Sequence, residues 1–153
     1  MTRSELTVAP GDDATLLYLI KQVELAVRFH LDAAVSDAGL TALQYTALTV
    51  LERHPGMTSA ELARNSFVRA QTMAQMTKSL EVAGLIRREA DPNSRRQYLI
   101  FLNEEGEQMV RSLRMPVEDV ERRMIAGLTP SDIGKLREML RACRLSLSGS
   151  DPH

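Results

Sequence analysis

The chain has 153 residues, 25% of them charged, with a formal net charge of -1, which fits one domain over residues 1–153 with a core of its own. The single cysteine, Cys143, excludes an intrachain disulfide, and with neither a signal peptide nor a membrane-spanning apolar run we expect a cytoplasmic protein without a membrane segment. Three Phe, three Tyr and no Trp leave little aromatic surface for stacking unpaired bases, which argues against an RNA or single-strand binder.

The first predicted element is a long helix over residues 12–38, capped by Asp12 or Asp13 and ended by Gly39. A stripe of apolar residues recurs along it at helical spacing: Leu16, Leu19, Ile20, Val23, Val27, Leu31, Ala34 and Val35. Because such a helix is longer than one small domain needs on its core face, we expect part of the stripe to pack on a second subunit.

A second helix is predicted to begin at the capping box Thr41-x-x-Gln44 and to end at His54-Pro55-Gly56. Its buried face is supplied by Leu43, Ala47, Leu48 and Leu51.

The next two helices have the form of a helix-turn-helix. Thr58 and Glu61 predict a capping box and a short helix that buries Leu62 and Ala63, and a second helix is predicted from Ala70 to Ala83, with Gly84 as its stop. One face of the second helix is apolar and assigned to the core: Met73, Met76, Leu80 and Ala83. The opposite face carries side chains that can reach base edges or phosphates, as in a recognition helix: Gln71, Thr72, Gln75 and Lys78.

A basic hairpin follows at once, with strands predicted at residues 85–89 and 97–102 and a turn at residues 90–94. It carries four arginines, Arg87, Arg88, Arg95 and Arg96, and a ribbon with arginine at its tip can enter a minor groove. Four arginines on an isolated hairpin could also be only a solvated surface. The preceding helix pair favours DNA, and so does the charge distribution: residues 64–96 hold seven basic and three acidic residues, a net of +4, which leaves -5 for the rest.

Two further helices complete the chain. Asn103 is predicted to cap the first, which Pro116 should kink or split, and Thr129-Pro130-Ser131-Asp132 predicts the start of the second. The last helix has its own apolar stripe: Ile133, Leu136, Met139, Leu140, Cys143 and Leu147.

The predicted fold is mainly α with a small two- to three-stranded β wing. A winged helix-turn-helix module over residues 41–102 lies between dimerisation helices at 12–38 and 103–147. A homodimer built from both ends of each chain would present two recognition helices to successive major-groove faces of a pseudo-palindromic double-stranded DNA operator.

These elements resemble the multiple antibiotic resistance regulator (MarR) family of bacterial transcription factors. The resemblance rests on three motifs in order: Leu80-Glu81-x-x-Gly84-Leu85-Ile86-x-Arg88, Asp91-Pro92-x-x-Arg95-Arg96 and Leu102-Asn103-x-x-Gly106. Three positions depart from the family pattern. Ser94 replaces Asp, Arg69 stands at the recognition-helix N-cap, and Asn103 replaces a Thr that caps equally well.

The resemblance implies an obligate dimer, usually a repressor, that small phenolic or other aromatic compounds release from DNA. A ligand cleft between the dimerising helices and the DNA-binding module would take His30 and Tyr45 as polar groups, although either residue could be only a packing residue. The DNA contacts that we expect are Arg69, Gln71, Thr72, Gln75, Lys78, Arg88, Arg95 and Arg96, with Asp91 stabilising the wing by capping its turn or by pairing with Arg95 or Arg96.

Other classes of function find less support. The sequence has no glycine-rich phosphate loop, no nucleophile motif and no metal-ligand spacing among His30, His54 and His153, so we expect no enzyme, cofactor or metal. Two alternatives stay open. One is a redox-sensing regulator that uses Cys143, and the other is a winged-helix protein-interaction module that has lost DNA binding, although such a module would not need the basic hairpin.

Overall fold

The computed structural model describes residues 14–148. Within that range the chain forms six α-helices and one antiparallel β-hairpin, so the predicted fold class is confirmed. In chain order the elements are α1 (Leu16–Val35), α2 (Ala42–Arg53), α3 (Ser59–Asn65), α4 (Ala70–Val82), β1 (Ile86–Asp91), β2 (Ser94–Leu102), α5 (Glu104–Met124) and α6 (Pro130–Ser148).

One core lies between α2, α3, α4, the hairpin and the first half of α5. Its largest fully buried side chains are Leu48, Leu51, Leu62, Met73, Leu80, Ile86, Ile100, Val35 and Val110. Burying one such side chain stabilises a fold by about 1.5–3 kcal/mol. This core therefore holds the helix-turn-helix and the hairpin together as one body.

Helix starts follow the predicted capping residues except at α1. The Thr41–Gln44 box is complete, whereas at α3 Thr58 accepts a bond from the Glu61 amide at 3.2 Å and, among the described residues, the reciprocal half of the box is not formed. Helix α1 begins later than predicted, because Thr15 caps it by accepting a bond from the Tyr18 amide at 3.1 Å. Asp12 and Asp13 lie outside the described residues.

The end of α4 corrects one predicted core residue. Helix α4 ends at Val82, and Gly84 follows with φ of 77°, a left-handed conformation that glycine adopts without strain. Ala83 therefore occupies the C-cap, where its side chain is exposed, and its assignment to the core is wrong.

The strands of the hairpin are longer than predicted and its turn is tighter. Asp91 pairs with Ser94, and Ala90 pairs with Tyr98, so residues 95–97 bulge out of the ladder near the tip. A single antiparallel bridge between Met57 and Ile100 joins β2 to the residues before α3, beside the two-stranded sheet. The wing is therefore anchored to the chain segment that precedes α3.

Helix α5 runs through Pro116 without a break, so of the two predicted effects of the proline, a kink or a split, the split is wrong. Leu113 is buried just before the proline, and Val117 packs against the core just after it. Arg114 adds hydrogen bonds to both carboxylate oxygens of Glu52 on α2, each 3.3 Å long. Packing on both sides of the proline offsets its cost in a helix interior, about 3 kcal/mol.

The two ends of the chain are much less buried than its middle. Helix α6 starts with reciprocal bonds of 3.1 Å between Thr129 and Asp132, but every one of its side chains is exposed or half-buried. In α1, Leu17 is 80% exposed, and Val35 alone is buried along that helix. No helix within residues 14–148 combines the length and apolar content needed to span a bilayer.

Candidate nucleic-acid interface

Helix α4 presents a polar face to solvent over an apolar base. Met73, Met76, Thr77 and Leu80 are buried against the core. The four residues predicted to reach DNA from this helix are all exposed: Gln71, Thr72, Gln75 and Lys78. An exposed helix with a polar face of this kind fits into a DNA major groove, and glutamine can make paired hydrogen bonds with adenine.

The turn that leads into α4 carries an aromatic residue that the sequence did not single out. Phe67 has φ of 55°, which costs a residue with a Cβ roughly 1–2 kcal/mol, and it is 83% exposed. Exposed arginines flank it at Arg64 and at Arg69, the N-cap of α4. Because phenylalanine in a helical protein is usually buried, its type gave no signal of this exposure.

The tip of the wing is organised by its turn residues. Asp91 Oδ1 accepts a hydrogen bond of 2.9 Å from the Asn93 amide, and Ser94 Oγ accepts one of 3.4 Å from the Arg96 amide. Asp91 therefore caps the turn. Arg95 and Arg96 are exposed in the bulge beside it, and among the described residues neither forms an ion pair.

Arg88 lies in a different setting from the other predicted DNA contacts. Its Nε donates to Glu81 Oε2 at 2.9 Å and its Nη2 donates to Glu81 Oε1 at 3.2 Å, so the pair is bidentate. The guanidinium also lies over the Tyr98 ring, 5.3 Å from its centroid. Hydrogen bonding to Glu81 raises the pKa of the Arg88 guanidinium above its usual value. Sequence reasoning missed Glu81 and Tyr98, because the chain reversal at Gly84 lies between Glu81 and Arg88, and the hairpin turn lies between Arg88 and Tyr98.

Arg87 also bonds a carboxylate and lies near an aromatic ring, but all of its partners belong to the wing itself. Its Nε donates to Glu89 at 3.2 Å, its Nη1 donates to the Leu102 carbonyl at 2.7 Å, and its guanidinium lies 5.1 Å from the centre of the Phe101 ring. The two adjacent arginines therefore bind different neighbours: Arg87 binds within the wing, and Arg88 binds Glu81 of α4.

Asn103 holds the junction between α4 and β1. It occupies the predicted N-cap of α5, but its Nδ2 donates to the carbonyls of Gly84 and Ile86, each at 3.1 Å, and within the described chain its side chain does not cap the helix. The expectation that it substitutes for a capping threonine is therefore wrong, because its amide is bonded instead to the turn that joins α4 to β1.

The two predicted ligand-pocket residues lie on neighbouring helices. Tyr45 on α2 is buried, and that burial raises the pKa of its hydroxyl. His30 on α1 is half-buried, with its Nδ1 3.4 Å from Arg123 Nη1 on α5. A cleft of about 410 Å³ opens at the base of the wing, but the described residues that line it, among them Leu51, Arg87 and Arg111, include neither His30 nor Tyr45.

Chemistry of other kinds has little basis in the described residues. Within residues 14–148 no group of three His, Cys, Asp or Glu side chains lies close enough together to hold a metal ion. Cys143 is exposed on α6.

Comparison with known proteins agrees with this geometry. A sequence model of the MarR family matches residues 38–97. The HTH-type transcriptional repressor Rv2887 of Mycobacterium tuberculosis is 34% identical over 130 residues, which cover 85% of this chain and 94% of the repressor.

Solved structures show the same fold. The crystal structure of Rv2887 in complex with salicylic acid matches with a TM-score of 0.71 and 33% identity, over 87% of this chain and 98% of that one. The repressor CouR bound to a 23-mer DNA duplex matches with a TM-score of 0.77 and 25% identity, over 85% of this chain and 92% of that one.

Proposed function

The chain belongs to the MarR family of transcriptional regulators, and from that premise we propose that it is a homodimeric repressor that binds a pseudo-palindromic DNA operator and responds to a small aromatic ligand. The observation that carries the proposal is the exposed polar face of α4 beside a wing whose tip arginines, Arg95 and Arg96, are free of ion pairs within the described structure. The CouR complex supports the DNA partner, because a chain of the same fold binds a duplex there.

The electrostatics fit a duplex partner although the whole chain is nearly neutral. The net charge of +4 over residues 64–96 lies on the module that holds α4 and the wing, and the balance of -5 lies elsewhere. Such an asymmetry orients the module toward a polyanion and turns the acidic remainder away from it.

The homodimer follows from the exposed helices at both ends of the chain. Residues of α1 and α6 form apolar surface that one chain leaves in water: Leu16, Leu17, Ile20, Val23, Leu140, Leu145 and Leu147. Exposed apolar side chains in this number along two helices mark an association site. A second copy supplies the complementary surface, because a two-fold interface uses the same patch on both subunits.

Binding to duplex DNA at several salt concentrations tests the proposal. The parent protein should shift a duplex at low salt, and the logarithm of its affinity should fall linearly as the logarithm of the salt concentration rises, because phosphate contacts release counterions. Affinity that is absent at low salt, or insensitive to salt, would contradict the DNA-binding proposal.

For the ligand, we propose salicylate as the first probe, since Rv2887 binds salicylic acid. A ligand that wedges between the dimerising helices and the module must favour the conformation that misfits the operator. Linkage then requires saturating operator DNA to weaken salicylate binding by the same factor by which salicylate weakens DNA binding. Tyr45→Phe and His30→Ala should lower salicylate affinity if these side chains line the site. Equal salicylate affinity with and without DNA would remove salicylate as an effector.

A further inference from the structure

The wing and the recognition helix are joined by very few residues. Helix α4 ends at Val82 and β1 begins at Ile86, so residues 83–85 alone connect them. Gly84 reverses the chain there with its left-handed φ. The shared core fixes the base of the wing. Because the backbone link is a single short bend, side chains that bridge the turn add a second constraint on the angle between wing and helix.

Two side-chain bridges hold this turn. The amide of Asn103, the N-cap residue of α5, donates to the carbonyls of Gly84 and Ile86. The bidentate pair joins Glu81, in the last turn of α4, to Arg88, the third residue of β1. Tyr98 on β2 supports the guanidinium from its face, so both strands of the wing take part.

This arrangement leaves Arg88 poorly placed to bind a phosphate. Two of its nitrogens already donate to a carboxylate in the fork geometry that is favourable for an arginine–carboxylate pair. A DNA phosphate would have to displace Glu81 or accept a carboxylate as its close neighbour, which is repulsive. Arg95 and Arg96 face neither obstacle.

We propose that Arg88 is a positioning residue, which fixes the angle of the wing to the recognition helix through Glu81 and does not itself contact DNA. The inference rests on the proposed DNA binding, since it concerns how the two DNA-contacting elements are held in register. When the wing is held at one angle, the wing tip and α4 reach their two grooves together. Without the pair, each element can still contact DNA, but the entropy lost when the wing is ordered on binding then weakens the affinity.

Removing Glu81 distinguishes the two possible roles of Arg88, because each role changes the DNA affinity in the opposite direction. If Arg88 positions the wing, Glu81→Ala should weaken binding to the preferred duplex by about fivefold, the upper end for an exposed ion pair. If Arg88 contacts a phosphate, the same change frees the guanidinium and removes a nearby anion, so binding should tighten.

A matched control distinguishes loss of the Glu81–Arg88 pair from a change in net charge. Glu89→Ala likewise removes one carboxylate, in this case from the wing, but it breaks only the contact with Arg87. We expect Glu89→Ala to leave the preference for specific over generic duplex unchanged, whereas Glu81→Ala should reduce it. Thermal unfolding of each variant checks that the fold is intact.

The experiment uses the full-length chain and two fluorescently labelled duplexes, one selected by the parent from a random-sequence pool and one scrambled. Affinities of the parent, Glu81→Ala, Arg88→Ala, the double variant and the control are measured over a range of salt. A positioning pair predicts that the double variant loses specificity no further than either single variant, and that Arg88→Ala keeps the salt slope of the parent. Tighter binding by Glu81→Ala, or a salt slope shallower by about one for Arg88→Ala, would overturn the proposal.

Failure of the proposed function would look different. In that case the parent itself would select no duplex. If only the positioning role is wrong, the parent still binds its selected duplex, and the variants depart from expectation in the sign of the affinity change or in the salt slope.

Discussion

At the scale of single residues, Asn103 stands at the N-cap of α5, but its side chain acts on the turn between α4 and β1. Asn103→Ala would leave the carbonyls of Gly84 and Ile86 without their side-chain donor. We expect the free energy of unfolding to fall by about 1–3 kcal/mol, the cost of leaving such groups unsatisfied. Chemical denaturation measures it.

Asn93→Ala is the control for that experiment. Asn93 lies exposed in the turn of the hairpin and takes part in the bond to Asp91 through its backbone amide, which the substitution keeps. Its effect should stay within about 0.5 kcal/mol, as for other surface positions. Equal stability of the two variants would show that the bridge at Asn103 contributes nothing.

Side-chain partners across a turn were the least predictable feature of the site. The sequence predicted that Gln71, Thr72, Gln75 and Lys78 face away from the core, because helical periodicity alone determines it. It did not predict that Arg88 pairs with Glu81, because that contact depends on the angle at Gly84 and not on a periodicity. For the same reason the sequence identified Asn103 as a helix cap but not as a bridge.

At the scale of elements, the wing contacts DNA through its tip in this account. Arg95→Ala and Arg96→Ala should each weaken binding to specific and generic duplexes alike, because phosphate and minor-groove contacts carry little sequence information. The variant that loses a phosphate contact should also show a salt slope shallower by about one. Quantitative gel shifts over a range of salt concentrations measure both effects.

Arg122→Ala provides the comparison, since it removes one arginine from α5, outside the module, where Arg122 pairs with Asp119. If both wing variants bind like Arg122→Ala, the wing does not contact DNA. Strand alternation does not apply to Arg95 and Arg96, because residues 95–97 bulge out of the ladder, so the salt slope identifies the arginine that contacts a phosphate.

The sequence predicted the type of each element better than it predicted where each element begins and ends. Capping signals placed α2, α3 and α6 within a residue or two, whereas α1 begins at Leu16, after an N-cap at Thr15 that the sequence reading did not single out. The split considered at Pro116 does not occur, because Leu113 and Val117 hold α5 against the core, which local propensity alone does not predict. The hairpin was found by its turn residues, but its bulge was not.

At the scale of the whole molecule, the two ends of the chain should form the dimer interface. Leu19→Glu and Leu140→Glu each place a charge within an apolar stripe that we assign to shared burial, so either variant should yield monomers or unfolded chains. Leu19→Met and Leu140→Met keep volume and polarity, and they should remain dimeric. Sedimentation equilibrium distinguishes these outcomes. Folded, monomeric Leu→Glu variants would support the interface, but unchanged dimers from both would remove it.

The central claim is that a dimer places two α4 helices on successive major-groove faces of one duplex. Selection from a pool of random-sequence duplexes, followed by sequencing of the bound fraction, tests it most directly. The account predicts an enriched inverted repeat with half-sites roughly 10 base pairs apart, and a relaxed preference at specific positions when Gln75→Ala is selected in parallel. Recovery of no enriched sequence by the parent, or of a single half-site without symmetry, would contradict it.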